Sequence, residues 1–241
     1  MAAEGAILVL KTGEALPSVK ARCGDFEDWI ARGLGVERAA VTVASVYLGE
    51  PLPEPESIGG VVVTGSPAMV TAREDWSERS AEWLGRVVDG DCVPVLGLCY
   101  GHQLMAHALG GEVGVNPNGR EMGTVEVRLA SDELAHDAIL VSGAHPGHMS
   151  HVESVLVPPR DASVIATTAL EAHAALRFGP RQWGVQFHPE FDREIMGRYV
   201  EARREVLVQE GLRPDAIIAA ATETPVLSDT LARFSALVAG G

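Results

Sequence analysis

Lysine is nearly absent from this 241-residue sequence. Lys11 and Lys20 are the only two, and the other basic residues are arginines. Acidic residues outnumber basic ones, 33 to 19, for a net charge of −14. Binding to nucleic acid phosphates needs clustered Lys and Arg, so this balance argues against nucleic acid as a partner. The acidity itself signals no more than solubility. Cysteine is also scarce: Cys23, Cys92 and Cys99 form an odd, irregularly spaced set. That argues against a disulfide framework and for a reducing compartment. No apolar stretch is long enough to span a bilayer. The N-terminus has no basic n-region, and its apolar run at 6–10 is too short for a signal peptide. A cytoplasmic location without membrane contact is expected. No Gly-Lys-Ser/Thr occurs, and the glycine-rich stretch at 110–114 lacks phosphate-loop spacing, so neither an ATP site nor a cofactor is expected.

What is present is ordinary globular material. Hydrophobic residues make up 46% and charged residues 22%, which excludes disorder. The length suits one α/β domain, and neither a linker nor an internal repeat is visible. Apolar patterning predicts strands at 6–11, 39–46, 60–64 and 93–98, with helices at 25–34 and 76–88 between them. This alternation predicts a mostly parallel sheet with helices on both faces. From residue 112 the texture changes. The alternation at 123–129 and short strands at 163–167, 174–178 and 183–187 predict a small antiparallel addition. Helices are predicted at 192–209, 214–221 and 224–238. The last thirty residues read as a C-terminal helical extension, about 211–241, that either packs on the domain or offers a partner surface. His145, His148 and His151 invite a metal reading. Spaced by three, they would spread around a helix without converging, and no cysteine lies near, so no metal site is expected.

The most specific feature is Val93-Pro-Val-Leu-Gly97-Leu-Cys99-Tyr100-Gly101-His-Gln103-Leu-Met-Ala. A short apolar strand runs into an apolar helix, and Cys99 stands between with glycines two residues to either side. This is the thiol version of a nucleophile elbow, a strained strand-to-helix turn that tolerates no neighbouring side chains. A thiolate at a helix N-terminus meets unpaired N–H groups and the positive end of the helix dipole, which lowers its pKa. The Tyr100 N–H then points where an oxyanion would form. A buried structural cysteine between packing glycines is the competing reading; the two glycines and the strand–helix setting together disfavour it.

A cysteine nucleophile needs a base and a group to orient it. Trp183-Gly-Val-Gln-Phe-His188-Pro-Glu190 supplies both: His188 follows the C-terminal end of a predicted strand, where open α/β sheets place their sites, and Glu190 can reach back to its ring.

Together these segments resemble the class I glutamine amidotransferases, whose glutaminase domains carry Gly-x-Cys-x-Gly-x-Gln and His-Pro-Glu motifs. Three more segments extend the likeness: 61–67 (Val-Val-Val-Thr-Gly65-Ser66-Pro) resembles the family's oxyanion strand, 116–123 the stretch after the nucleophile helix, and 150–155 (Ser150-His151-Val152-Glu-Ser-Val) its Ser-His-x-Asp-x-Val segment. Ser66 stands where several members have a second glycine, and Glu153 where some have aspartate. The resemblance implies a flavodoxin-like α/β fold and these roles. Cys99 attacks the γ-carboxamide carbon of glutamine; His188 moves the proton to the departing ammonia; Glu190 orients His188. Gly65 and Tyr100 donate backbone N–H bonds to the oxyanion. Gln103 and Ser66 touch bound substrate, and the backbone of Ser150, His151 and Val152 holds its α-amino and carboxylate groups. Many members carry a synthetase domain; with no ATP site evident here, a separate acceptor synthase is the implied partner. The same triad would also serve a hydrolase of γ-glutamyl peptides or amides. A non-catalytic relative that binds a partner is disfavoured by the intact Cys99, His188 and Glu190.

Overall fold

The computed structural model describes residues 6–130 and 137–240. The reading of the extreme N-terminus as leaderless falls on residues 1–5, outside that range. Among the described residues eleven strands form: β1 (Ile7–Lys11), β2 (Thr42–Ser45), β3 (Gly60–Val63), β4 (Val95–Leu98), β5 (Glu112–Val115), β6 (Glu121–Leu129), β7 (Gly143–His151), β8 (Glu153–Val157), β9 (Ser163–Thr167), β10 (Ala175–Gly179) and β11 (Gln182–Val185). Eight α-helices accompany them: α1 (Pro17–Cys23), α2 (Phe26–Leu34), α3 (Asp75–Asp89), α4 (Tyr100–Ala108), α5 (Arg193–Ala202), α6 (Arg204–Gln209), α7 (Pro214–Ala220) and α8 (Pro225–Gly240).

Nine strands make one sheet, in the order β2-β1-β3-β4-β11-β10-β9-β6-β7. The first five are parallel and the rest are joined antiparallel. The parallel half has the doubly wound order in which sites form beyond the strands' C-terminal ends. β5 and β8 pair separately as a two-stranded sheet. The antiparallel addition therefore mostly extends the main sheet.

Strands β1, β3 and β4 are buried along their whole length, as unbroken apolar runs in a doubly covered parallel sheet must be. Their alternation divides the core. Val9, Val62, Leu96 and Leu98 face α2, α5 and α8, with Trp29, Phe191 and Phe234. Leu8, Leu10, Val61, Val63 and Val95 face α3 and α4, with Trp83, Leu84 and Leu104. Asp25 starts α2 with a capping box to Asp28. Leu227, Leu231 and Phe234 bury one face of α8 in the first of these layers. No helix among the described residues is long and apolar enough to cross a membrane.

Three expectations are revised. The stretch at 192–209 is two helices that meet at Arg203. Neither proline nor glycine causes the break; the Arg203 N–H is shared between the carbonyls of Tyr199 and Val200, both at 3.2 Å, so the turn tightens there. The predicted strand at 39–46 shortens to β2, bounded by single 3-10 turns at Arg38–Ala40 and Val46–Leu48. His145, His148 and His151 lie on strand β7 and not on a helix. On a strand, His148 points to the face opposite the other two, and six residues separate His145 from His151 by roughly 20 Å. Among the described residues no group of histidine, cysteine and carboxylate side chains is placed to hold a metal.

Candidate active site

The strand register delivers the three key segments to one edge. In parallel pairing, Val63 lies beside Gly97, and Leu98 beside Val185. The next residues along, Gly65, Cys99 and His188, therefore emerge together at the C-terminal end of the sheet. The Cys99 N–H donates to the Val185 carbonyl at 2.8 Å, which ties the elbow to β11.

Cys99 caps α4 with φ 49° and ψ −99°, a conformation that disfavours any residue but glycine. Backbone strain thus sits at the proposed nucleophile. Its flanking glycines are sterically required. A Cβ on Gly97 would come within 2.6 Å of the Gly101 carbonyl carbon, and one on Gly101 within 2.6 Å of the Val63 carbonyl oxygen. Backbone cannot yield as a flexible side chain can. Gly101→Ala is expected to destabilise the protein by about 1–3 kcal/mol or more, read as a lowered denaturant midpoint; an unchanged midpoint would mean that α4 is not pressed against β3.

His188 is buried and fixed from several sides. Its backbone N–H donates to the His148 carbonyl at 2.9 Å. Its ring stacks on Phe191 at 4.1 Å, and Phe191 packs in turn against Trp29 and Tyr199. Nδ1 meets Glu190 Oε1 at 2.7 Å across a buried pair. Nε2 has no partner that meets hydrogen-bond geometry. It shares a cleft with Cys99. Burial alone would push the imidazole below its ordinary value, but the charges of Glu190 and Cys99 outweigh that and hold it up at about 10. The neighbouring His148 bonds the Thr124 hydroxyl instead, and Asp192 favours its charged form only weakly. Burial and the His188 charge push it down to about 4, so it is neutral at pH 7.

The cleft over Cys99 has two lobes. One is lined by Ser66, Tyr100, Gln103, Ser150, Val152 and Glu153, among others. The second runs past His188 to Leu16, Phe26 and Tyr199. The expected site residues stand here, in differing states. Gly65 lies against the His188 ring, and its carbonyl accepts from the hydroxyls of Thr12 and Thr64, which fixes the peptide. Tyr100 is buried, and its hydroxyl meets Ser77 Oγ at 2.6 Å. Burial pushes that phenol up to about 12, so it is not an anion at working pH.

Ser66 spends its hydroxyl on the Thr12 carbonyl at 2.7 Å. Gln103 gives its amide to the carbonyl of Glu153 at 2.7 Å and to Gln186 at 2.9 Å. His151 turns its ring away from the cleft: Nδ1 donates to the Glu153 carbonyl, and Nε2 faces the buried Glu121 at 3.2 Å. Only its backbone is left for substrate. The Val152 carbonyl accepts from the Asn116 N–H. Glu153 accepts from the Val70 N–H at 2.9 Å and from the Thr71 hydroxyl, and so clamps the cleft wall.

Two arginines of the cleft were not among the site residues read from the sequence. Arg120 and Arg203 both line the first lobe. Arg120 is neutralised by a two-pronged pairing with Glu210, at 2.6 and 2.9 Å. Arg203 sits at the break between α5 and α6. The surplus of arginine over lysine in the composition gave no sign of which arginines turn inward.

A doubly wound sheet that brings a strained cysteine elbow beside a histidine held by a glutamate is an α/β architecture with a candidate thiol site. The sequence and structure comparisons make it specific. A family model described as "Glutamine amidotransferase class-I" matches residues 23–204, and the chain belongs to that family. It is 40% identical over 173 residues to the glutamine-hydrolysing GMP synthase of Aeropyrum pernix, covering 70% of this chain and 31% of that one. It is 38% identical over 182 residues to the corresponding protein of Tolumonas auensis, covering 73% and 32%. The chain thus spans about a third of the length of these curated relatives. A crystal structure of a glutamine amidotransferase from Thermotoga maritima superimposes with a TM-score of 0.76 at 20% identity, covering all of both chains. That likeness carries the fold alone.

Proposed function

We propose that the protein hydrolyses the side-chain amide of glutamine through a γ-glutamyl thioester on Cys99 and supplies ammonia to a separate acceptor synthase. The observation that carries this reading is the alignment at one sheet edge of a strained cysteine with a buried, carboxylate-held histidine. Cys99 Sγ attacks the amide carbon. The resulting oxyanion is met by the N–H groups of Gly65 and Tyr100. His188, protonated, gives its proton to the departing nitrogen as the C–N bond breaks. Water then attacks the thioester, His188 takes up its proton, and glutamate leaves with the thiolate restored. Ser66, Gln103 and the backbone at 150–152 form the glutamyl pocket. Family membership and the glutamine-hydrolysing relatives support this class of chemistry.

The second lobe, beyond His188, favours a second reading: a hydrolase of γ-glutamyl peptides or amides, with a leaving group larger than ammonia. The test is release of glutamate from glutamine, with and without candidate acceptor enzymes, beside a panel of γ-glutamyl amides. Turnover of glutamine, raised by an acceptor, supports the first reading. Preference for the amides reverses the order, and no release from any compound sinks both. We further read the chain as one amidotransferase unit with α7 and α8 as a C-terminal extension, supported by the packing of α8. A reducing, cytoplasmic setting suits an unprotected thiol.

A further inference from the structure

We propose that Arg203 binds a carboxylate of the substrate in the cleft over Cys99. The proposal rests on the acyl-transfer reading of that cleft and names what the cleft selects. Arg203 lines both lobes, one with Tyr100 and Gln103 and the other with His188 and Tyr199. It therefore stands at the junction where the acyl group and the leaving group of a γ-glutamyl compound would meet.

Its own contacts leave the guanidinium uncommitted. Nε is buried and has no hydrogen-bond partner; among the described residues no carboxylate comes within ion-pair distance of the side chain, and Glu210 and Cys99 favour its charged form only from farther off. Other arginines without a carboxylate partner among the described residues, such as Arg22, Arg79 and Arg160, are exposed, whereas Arg203 is half-buried. Arg120, in the same cleft, shows the ordinary outcome, since Glu210 takes it bidentately. Taking a cation partly out of water costs free energy that a partner normally offsets. Burial accordingly weakens the charged form of Arg203. A planar guanidinium fork matches one ligand group best, a carboxylate held by two parallel hydrogen bonds. The helix break adds to the case. The tightened turn at Arg203 separates α5 from α6 without proline or glycine.

A γ-glutamyl compound offers two such carboxylates. Every one carries the glutamyl α-carboxylate. A γ-glutamyl amino acid carries a second on its leaving group. Three ligands separate them: glutamine, γ-glutamylmethylamide and γ-glutamylglycine. Each is measured against the wild-type protein, Arg203→Gln and Arg203→Lys, as KM where turnover occurs and by calorimetry where it does not. Thermal melts establish that the variants fold; should Arg203→Gln not fold, Arg203→Lys alone carries the comparison, as a smaller loss.

Loss of a charge-assisted pairing is expected to weaken binding about 10- to 100-fold in Arg203→Gln, with partial recovery in Arg203→Lys. Weakening of all three ligands assigns the α-carboxylate. Weakening of γ-glutamylglycine alone assigns the leaving-group carboxylate. Affinities within twofold of wild type for all three, or no binding by wild type, overturn the proposal. Binding lost in the variants by a wild-type protein that turns nothing over would instead sink the hydrolase reading and leave the carboxylate site standing.

Discussion

Cys99→Ala is expected to abolish glutamate release, with a loss of at least about 10⁴-fold, while the protein stays folded. The loss is total in mechanism because no other group at the sheet edge can form the thioester. Cys23 and Cys92 lie elsewhere, one half-buried and the other exposed. Folding should survive because the alanine side chain is smaller and adopts the same backbone. A companion variant reports the strain. Cys99 is held at φ 49°, a conformation that costs a residue with a Cβ of order 1–3 kcal/mol. Cys99→Gly should therefore be more stable than Cys99→Ala, and equally inactive. With about 2–4 °C per kcal/mol for a chain of this size, the difference is readable as a melting-temperature shift. A glycine variant that melts below the alanine variant would mean that the elbow is not strained.

Glu190→Gln is expected to cause the second-largest loss, about 10²- to 10⁴-fold near neutral pH, from the loss of a positioned proton donor. Burial pushes His188 down, and the Glu190 carboxylate is the foremost group holding it up at about 10. With an uncharged amide in that place, only Cys99 is left to oppose burial. The imidazole pKa should then fall well below 10, and less of the ring is protonated and placed to serve the departing nitrogen. An NMR titration of the His188 ring reads this directly. The sign for stability follows from the same shift. The pKa of His188 is raised on folding, so its protonation stabilises the native state fully below pH 6.5, and that contribution fades as pH rises through about 10. Glu190→Gln should shrink this pH dependence. A variant whose His188 still titrates near 10 would show that another group holds the charge.

The chemistry was more legible in the sequence than the cleft. Cys99, His188 and Glu190 each sit at a strand end marked by glycine, proline or an apolar run, so local patterning and register place them together. The parallel half of the sheet was legible for the same reason, since β1, β3 and β4 are unbroken apolar runs. Strand β7 was not. Its sequence, Gly-Ala-His-Pro-Gly-His-Met-Ser-His, has neither alternation nor β-branched residues, and it tolerates Pro146 because it is the last strand of the sheet. Missing β7 also misplaced its three histidines on a helix. The inward turn of Arg203 was equally hidden. It depends on a helix break that no breaker residue announces, and on packing between α5 and the sheet edge. Where the His151 ring and the Gln103 amide are bonded was not legible either, because motif spacing says which residues are near a site and not which way their polar atoms are spent.

The central claim is a covalent one, and mass spectrometry of protein quenched in acid during turnover tests it most directly. Presented with glutamine or a γ-glutamyl amide, the wild-type protein should carry one glutamyl group, mapped to the peptide that contains Cys99, and Cys99→Ala should carry none. Glutamate release by the wild-type protein with no adduct, together with unabated release by Cys99→Ala, would contradict the account.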